Sequence, residues 1–308
     1  MKGRFWKGML FLLAIVLIPF AVTHRMNGTN GIAERRVEAG ECYIISGQER
    51  IPLEEYLTGA VAYYMPIDYE DEAYKVMSVL LRTYVLEKMG NTREIEEELL
   101  DISRYRIEEM EVSFGKQFMH SYSRYQSAVQ ATAGEVARYG EELIEPYFHQ
   151  VSAGTTNRVT GCPYLVSVDS SQDIQAKNYL SLKTMSVEEF MQGMSEAGFS
   201  AEAKLWGEGT SSQSIVSEIA LEMRAGEYVG NVVWRGKRIP AAQVQEAFAL
   251  PSMAFQFEAY EENIRIMTKG IGHGAGLSLY GANEMAAEGK SYREILTYYY
   301  SNITVSDE

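Results

Sequence analysis

Cysteine is nearly missing from this chain of 308 residues, which has two, Cys42 and Cys162. A disulfide-dense scaffold is excluded. The pair itself stays open between one bridge and two separate buried thiols, because spacing alone does not bring two Cβ atoms together. Histidine is also sparse, with four residues, and no two Cys or His stand at ligand spacing, His149 and Cys162 coming nearest. No structural zinc and no cofactor are therefore expected. Basic charge is the third shortage: 28 Lys and Arg against 42 Asp and Glu leave a net charge of −14. Such a chain does not select nucleic acid or anionic lipid by charge, so any polymer it holds is read by shape and hydrogen bonds. Internal repeats and low-complexity segments are absent too, and 46% hydrophobic with 23% charged residues is the balance of a globular protein.

Near the start, Lys2, Arg4 and Lys7 precede an unbroken apolar run over residues 9–22. The run is too apolar for a surface helix and is flanked as a signal segment is. Ala21 and Thr23 make a weak cleavage site with bulky Arg25 and Met26 behind them. The reading is an uncleaved signal anchor over residues 1–24, a transmembrane helix with a cytoplasmic tip and everything after it outside the membrane. Residues 25–38 are polar, carry two glycines and no apolar period, and read as a flexible linker. The folded domain is expected over residues 39–305.

Residues 43–45 predict a short strand and Pro52 the first turn of a helix. In that helix Leu53, Leu57, Ala60, Val61 and Tyr64 recur at three- and four-residue steps, so Tyr64 points inward. Pro66 ends it and Asp68 is the expected cap of the next helix. There Ala73, Val76, Met77, Leu80 and Tyr84 mark the buried face, and Lys75, Ser78 and Arg82 the opposite side. Helical composition continues over 93–109. Strands are expected within 128–151 with turns at Gly134 and Gly140, and again over 164–168. Ser186 and Glu189 form a capping box, as do Ser291 and Glu294. Residues 214–224 and 228–234 predict a hairpin, Pro240 a helix start, 253–259 and 264–268 strands, and 281–288 and 292–300 helices. Helices interspersed with mostly antiparallel strands give the class α+β.

Two segments carry possible chemistry. One is 53–84, LEEYLTGAVAYYMPIDYEDEAYKVMSVLLRTY. The other, GIGHGAGLSLYGANEMAAEGKSYREILTYYY over 270–300, sets glycines about His273 so that the backbone can approach a ligand or another chain segment closely. It lacks the lysine and spacing of a phosphate loop. Between them lies Tyr147-Phe-His-Gln-Val-Ser-Ala-Gly-Thr-Thr156. In this order the three resemble the motifs of the stage II sporulation protein D family, the amidase-enhancer type.

That resemblance implies two lobes around a glycan-binding groove and a lytic transglycosylase, in which one carboxylic acid of raised pKa protonates the glycosidic oxygen of peptidoglycan. Active members carry a glutamate directly before Met-Pro; here Tyr64 precedes Met65 and Pro66. A phenol of pKa about 10 is a poor acid for an ether-like oxygen. Three readings of Tyr64 remain: a packed aromatic in the acid's place, a sugar contact, or an unusual catalytic group. The first is preferred, since the family's glutamine between Ser and Tyr is also replaced, by Leu279. The resemblance further implies substrate contacts from Arg82, Tyr84, His149, Ser152, Thr155, His273, Ser278 and Tyr280, with Arg82 open between binding a sugar carboxylate and pairing with a nearby acid. The chain is thus expected to bind peptidoglycan glycan strands during septal wall remodelling and engulfment, with weak or no lytic activity. An active enzyme with a different carboxylate and a scaffold for a cell-wall amidase or other engulfment proteins are the alternatives.

Overall fold

Pro52, with φ −56°, passes the chain straight from a small hairpin into a helix, where its missing N–H leaves no bond unmade. The hairpin is β1 (Tyr43–Ser46) and β2 (Glu49–Pro52), antiparallel, and the helix is α1 (Leu53–Tyr64). The computed structural model describes residues 41–199, 211–224 and 226–307, so the expected anchor and linker lie outside the described residues. Contacts gather Tyr43–Glu308 into one unit. No helix among the described residues is long and apolar enough to cross a membrane.

Leu53, Leu57, Ala60 and Val61 of α1 are buried as their spacing predicts. The helix stops at Tyr64 because Met65, preceding a proline, is extended. In α2 (Asp71–Met89) the cap is Glu70 rather than Asp68, and the Glu70 N–H donates to Asn283 Oδ1 at 2.8 Å. Ala73, Val76, Met77 and Leu80 are buried as expected, but so are Ser78 and Arg82. The face assigned to solvent is covered by two elements further along the chain.

The helix expected over 93–109 is instead β3 (Glu94–Glu96), parallel to β1, followed by a 3-10 turn and then α3 (Ile107–Phe114). Here the free edge of β1 outweighs local helix propensity. Next come α4 (Phe118–Ala131), β4 (Glu135–Tyr139), β5 (Glu142–Leu143) and β6 (Phe148–His149). Both α4 and β4 pack on α2. Residues 164–168 are no strand: the Leu165 N–H closes a turn on Cys162 O and the Tyr164 carbonyl accepts from Ser301. Cys42 and Cys162 form no disulfide.

A second apolar core gathers β7 (Leu180–Met185), α5 (Val187–Glu196), α6 (Ser212–Glu218), β8 (Ile219–Met223), β9 (Val229–Trp234), β10 (Lys237–Pro240), α7 (Ala241–Ala247), β11 (Phe255–Tyr260) and β12 (Asn263–Lys269) around Phe190, Met194, Val232, Trp234 and Ile266. Its two sheets, β10-β9-β8 and β11-β12-β7, are antiparallel. The capping box at Ser186 opens α5. The expected hairpin begins later than predicted, since Ser211 caps α6 and turns its Ile215 into the core.

The chain then returns to the first core through β13 (Leu277–Ser278), α8 (Leu279–Ala287), α9 (Tyr292–Tyr299) and β14 (Thr304–Asp307). β13 pairs parallel with β6, and β14 pairs antiparallel with β4. The pairing of β6 with β13 joins two of the three motif segments.

Candidate functional site

Tyr64 ends α1 half-buried, with its ring edge-on to Tyr63 at 5.1 Å and to Phe148 at 5.2 Å between centroids. Its hydroxyl accepts the Ser103 N–H at 3.0 Å. Burial raises the phenol pKa further above its ordinary value, with the nearby Tyr63 and the Asp101 carboxylate adding to the shift and the Ser103 contact opposing it. A tyrosine so placed is a still weaker acid than a free one. Tyr84 holds the same loop in a similar way, its hydroxyl accepting the Asp101 N–H at 3.0 Å. Gly59 lets that loop close in, with the Tyr105 N–H donating to Gly59 O at 3.1 Å where any side chain would strike the Tyr105 carbonyl. Residues 101–105 are thus held against α1 and α2 by the phenols of Tyr64 and Tyr84 and a backbone bond to Gly59.

Arg82 is 1% exposed. Its guanidinium forms a bidentate pair with Glu54, at 2.8 Å from Nε and 2.6 Å from Nη2. The other N–H groups reach Val129 O at 3.2 Å and Glu135 O at 3.1 Å. Val129 lies in the last turn of α4, and its carbonyl accepts from Arg82 as well as from the Thr132 N–H and hydroxyl at 3.3 Å, so Arg82 adds a donor at this helix end. This overturns the polar-face placement of Arg82.

Phe148 faces Tyr64, and strand alternation turns its neighbours Tyr147 and His149 the other way, to His273, at 5.7 Å and 5.8 Å between ring centroids. His149 is buried. Its Nδ1 donates to Ala275 O at 3.1 Å, while Nε2 has no protein partner. Burial, reinforced by His273, pushes its pKa down to about 3, so it is neutral. His273 is exposed at its rim but packed about the ring. Its Nδ1 accepts the Ala275 N–H at 3.0 Å, which puts the proton on Nε2, and burial lowers its pKa against a backbone hydrogen bond with Phe148.

The glycines near His273 serve close packing of chain on chain. At Gly274, φ +75°, a Cβ would overlap the Tyr228 ring, and at Gly276, φ +69°, it would overlap Tyr147 O. Tyr228, 1% exposed, reaches in from the start of β9 and accepts the Ala153 N–H at 3.0 Å. Ser152 and Ser278 are wholly buried. Ser278 caps α8, accepting the Gly281 N–H at 3.2 Å, and the Ser152 N–H donates to Asp173 Oδ2 at 2.7 Å. Thr155 is half-buried and bridges to Asp169, its Oγ1 without a partner. Tyr280 is half-buried, and its N–H donates to Gln150 O at 3.1 Å.

Tyr64 therefore meets Phe148, and the strand carrying Phe148 meets the cassette through β13, while Arg82 and Tyr84 are drawn into structural bonds. A cavity of about 340 Å³ beside α1, lined by Glu55, Thr58, Arg104 and Tyr105, contains none of the predicted site residues. No group of three or more His, Cys, Asp or Glu is placed to hold a metal ion among the described residues. Sequence reasoning missed Glu54, Phe148, Asp173 and Tyr228. A helix-start acid, a strand residue and a turn aspartate have no spacing signal of their own.

The family pattern of the Stage II sporulation protein matches residues 45–139. Stage II sporulation protein D of Bacillus amyloliquefaciens is 32% identical over 274 residues, covering 84% of this chain and 75% of that protein. The chain belongs to the stage II sporulation protein D family. Its counterpart in Bacillus subtilis (strain 168) is 31% identical over 84% of this chain and 76% of its own length. The amidase enhancer of the same organism is 26% identical over 81% of this chain and 40% of that protein. Within the family motif, residue 64 is where this chain carries its phenol.

Proposed function

We propose that this family member binds peptidoglycan glycan strands in the sporulation septum and has weak or no lytic activity. The observation that carries the reading is Tyr64: its hydroxyl accepts the Ser103 N–H and its ring is packed on Phe148, leaving a phenol of raised pKa where the resemblance places the family's acid. Anchoring by residues 1–24, with the domain outside the membrane, belongs to the same proposal and rests on the basic flank and apolar run. Full-length chain incubated with peptide-stripped glycan strands is expected to retain them on sedimentation and to release no anhydromuropeptides; robust release overturns the reading.

One observation favours a second reading. The Asp101 charge, on the loop held by Tyr64 and Tyr84, adds to the upward shift of the Tyr64 phenol, which makes it the carboxylate to test. If the chain does cleave glycan, Asp101→Asn is expected to abolish turnover. A role beside a cell-wall amidase takes its support from the relative named amidase enhancer. Co-purification of the full-length chain with such an amidase tests that role, and its failure leaves simple glycan binding.

A further inference from the structure

Asp173 is 0% exposed and plays no part in the chemistry discussed so far. It lies in a 3-10 turn, Ser171–Gln175, that packs on α8. Its Oδ2 accepts the Ser152 N–H at 2.7 Å and the Ser170 hydroxyl at 3.2 Å. Ser170 Oγ in turn lies 2.9 Å from the Tyr299 hydroxyl of α9. Oδ1 has no partner of its own and faces Gly281, where an added Cβ would stand 2.9 Å from it. One carboxyl thus touches the strand after β6, the first turn of α8 and, through Ser170, the end of α9.

We infer that Asp173 is a positioning residue, whose carboxyl ties Ser152, Ser170 and the capped start of α8 into one knot and so sets the spacing of the two motif segments against a glycan strand. The inference rests on the glycan-binding reading above. The electrical surroundings fit a knot of dipoles. Among the described residues Asp173 forms no salt bridge, and the titratable groups that sense its charge are phenols: Tyr69, Tyr179, Tyr228, Tyr280 and Tyr299. Burial raises the carboxyl pKa, opposed by the Ser152 and Ser170 hydrogen bonds and the nearby Ser278 hydroxyl. Because the folded value lies above the unfolded one, Asp173 favours the fold below the unfolded carboxylate pKa, and that contribution is lost as pH rises through the folded pKa.

The test uses the full-length chain, with purified peptide-stripped glycan strands as the probe and amide hydrogen exchange as the second readout. Asp173→Ala is expected to weaken glycan binding roughly tenfold and to speed exchange at the Ser152 and Gly281 amides, the effect of one unsatisfied buried group. Asp173→Asn keeps an acceptor for the Ser152 N–H and is expected to restore both. Should the alanine variant not fold, the asparagine variant decides the matter, because it should lack the wild-type loss of stability on raising pH. Unchanged exchange in Asp173→Ala, unchanged binding with faster exchange, or the same pH step in Asp173→Asn overturns the inference. If the wild-type chain retains no glycan, the glycan reading fails, and with it the positioning role, while the exchange data still judge the knot.

Discussion

The helical hairpin α1–α2 and the turn Ser171–Gln175 that packs on α8 each bury an ionisable side chain under opposite conditions. Arg82, 1% exposed, meets a carboxylate in bidentate geometry along with backbone carbonyls. Asp173, 0% exposed, meets an N–H and hydroxyls. His149 of β6, packed on His273, is neutral, with one nitrogen unpartnered. In the hairpin a charge is balanced by a charge, so removing one partner strands the other. Asp173 and His149 are held by dipoles and respond to pH.

The largest test of this contrast is Arg82→Ala, expected to cost about 3–5 kcal/mol in denaturant unfolding by breaking the pair with Glu54 and the bonds to the Val129 and Glu135 carbonyls. Glu54→Gln leaves the buried guanidinium without its counter-charge and should cost a similar amount; a cost near zero would break the comparison. Next, Gly274→Ala should cost about 3 kcal/mol, from left-handed backbone and overlap with Tyr228. The penalty should shrink in a Tyr228→Leu background, and an unchanged penalty would place it in the backbone alone.

The third test is pH. The pKa of His149 falls from 6.5 to about 3 on folding, so its stabilising contribution is complete above the unfolded value and is lost as pH falls toward the folded one. Between pH 6.5 and 5 that amounts to about 2 kcal/mol, and His149→Gln should flatten the slope seen by thermal unfolding. Asp173 works in the opposite direction, so the two slopes must be separated by single variants. The smallest effect is expected from Tyr64→Phe, about 1 kcal/mol from the lost Ser103 hydrogen bond, with glycan retention unaltered.

Much of the secondary structure was legible because it rests on local rules. The stripe of α1, the capping boxes at Ser186 and Ser291, the proline starts at 52 and 240 and the pair β11 and β12 all stand where spacing places them. Failures occurred where distant segments intervene. Arg82 has the periodicity of an exposed residue, and only the packing of α4 and β4 over that face buries it. Residues 94–96 have helical composition, yet β1 recruits them as a strand. Asp173 had no signal, since an aspartate in a polar turn reads as solvated until α8 closes over it.

Local chemistry alone therefore determined which segments turn, cap and alternate, the acidic balance, and the phenol at position 64, because each depends on neighbours within a few residues. Tertiary structure decided what those side chains face. A buried charge or hydroxyl needs partners, and the partners of Arg82, Asp173 and Tyr64 are 28, 21 and 39 residues away in sequence.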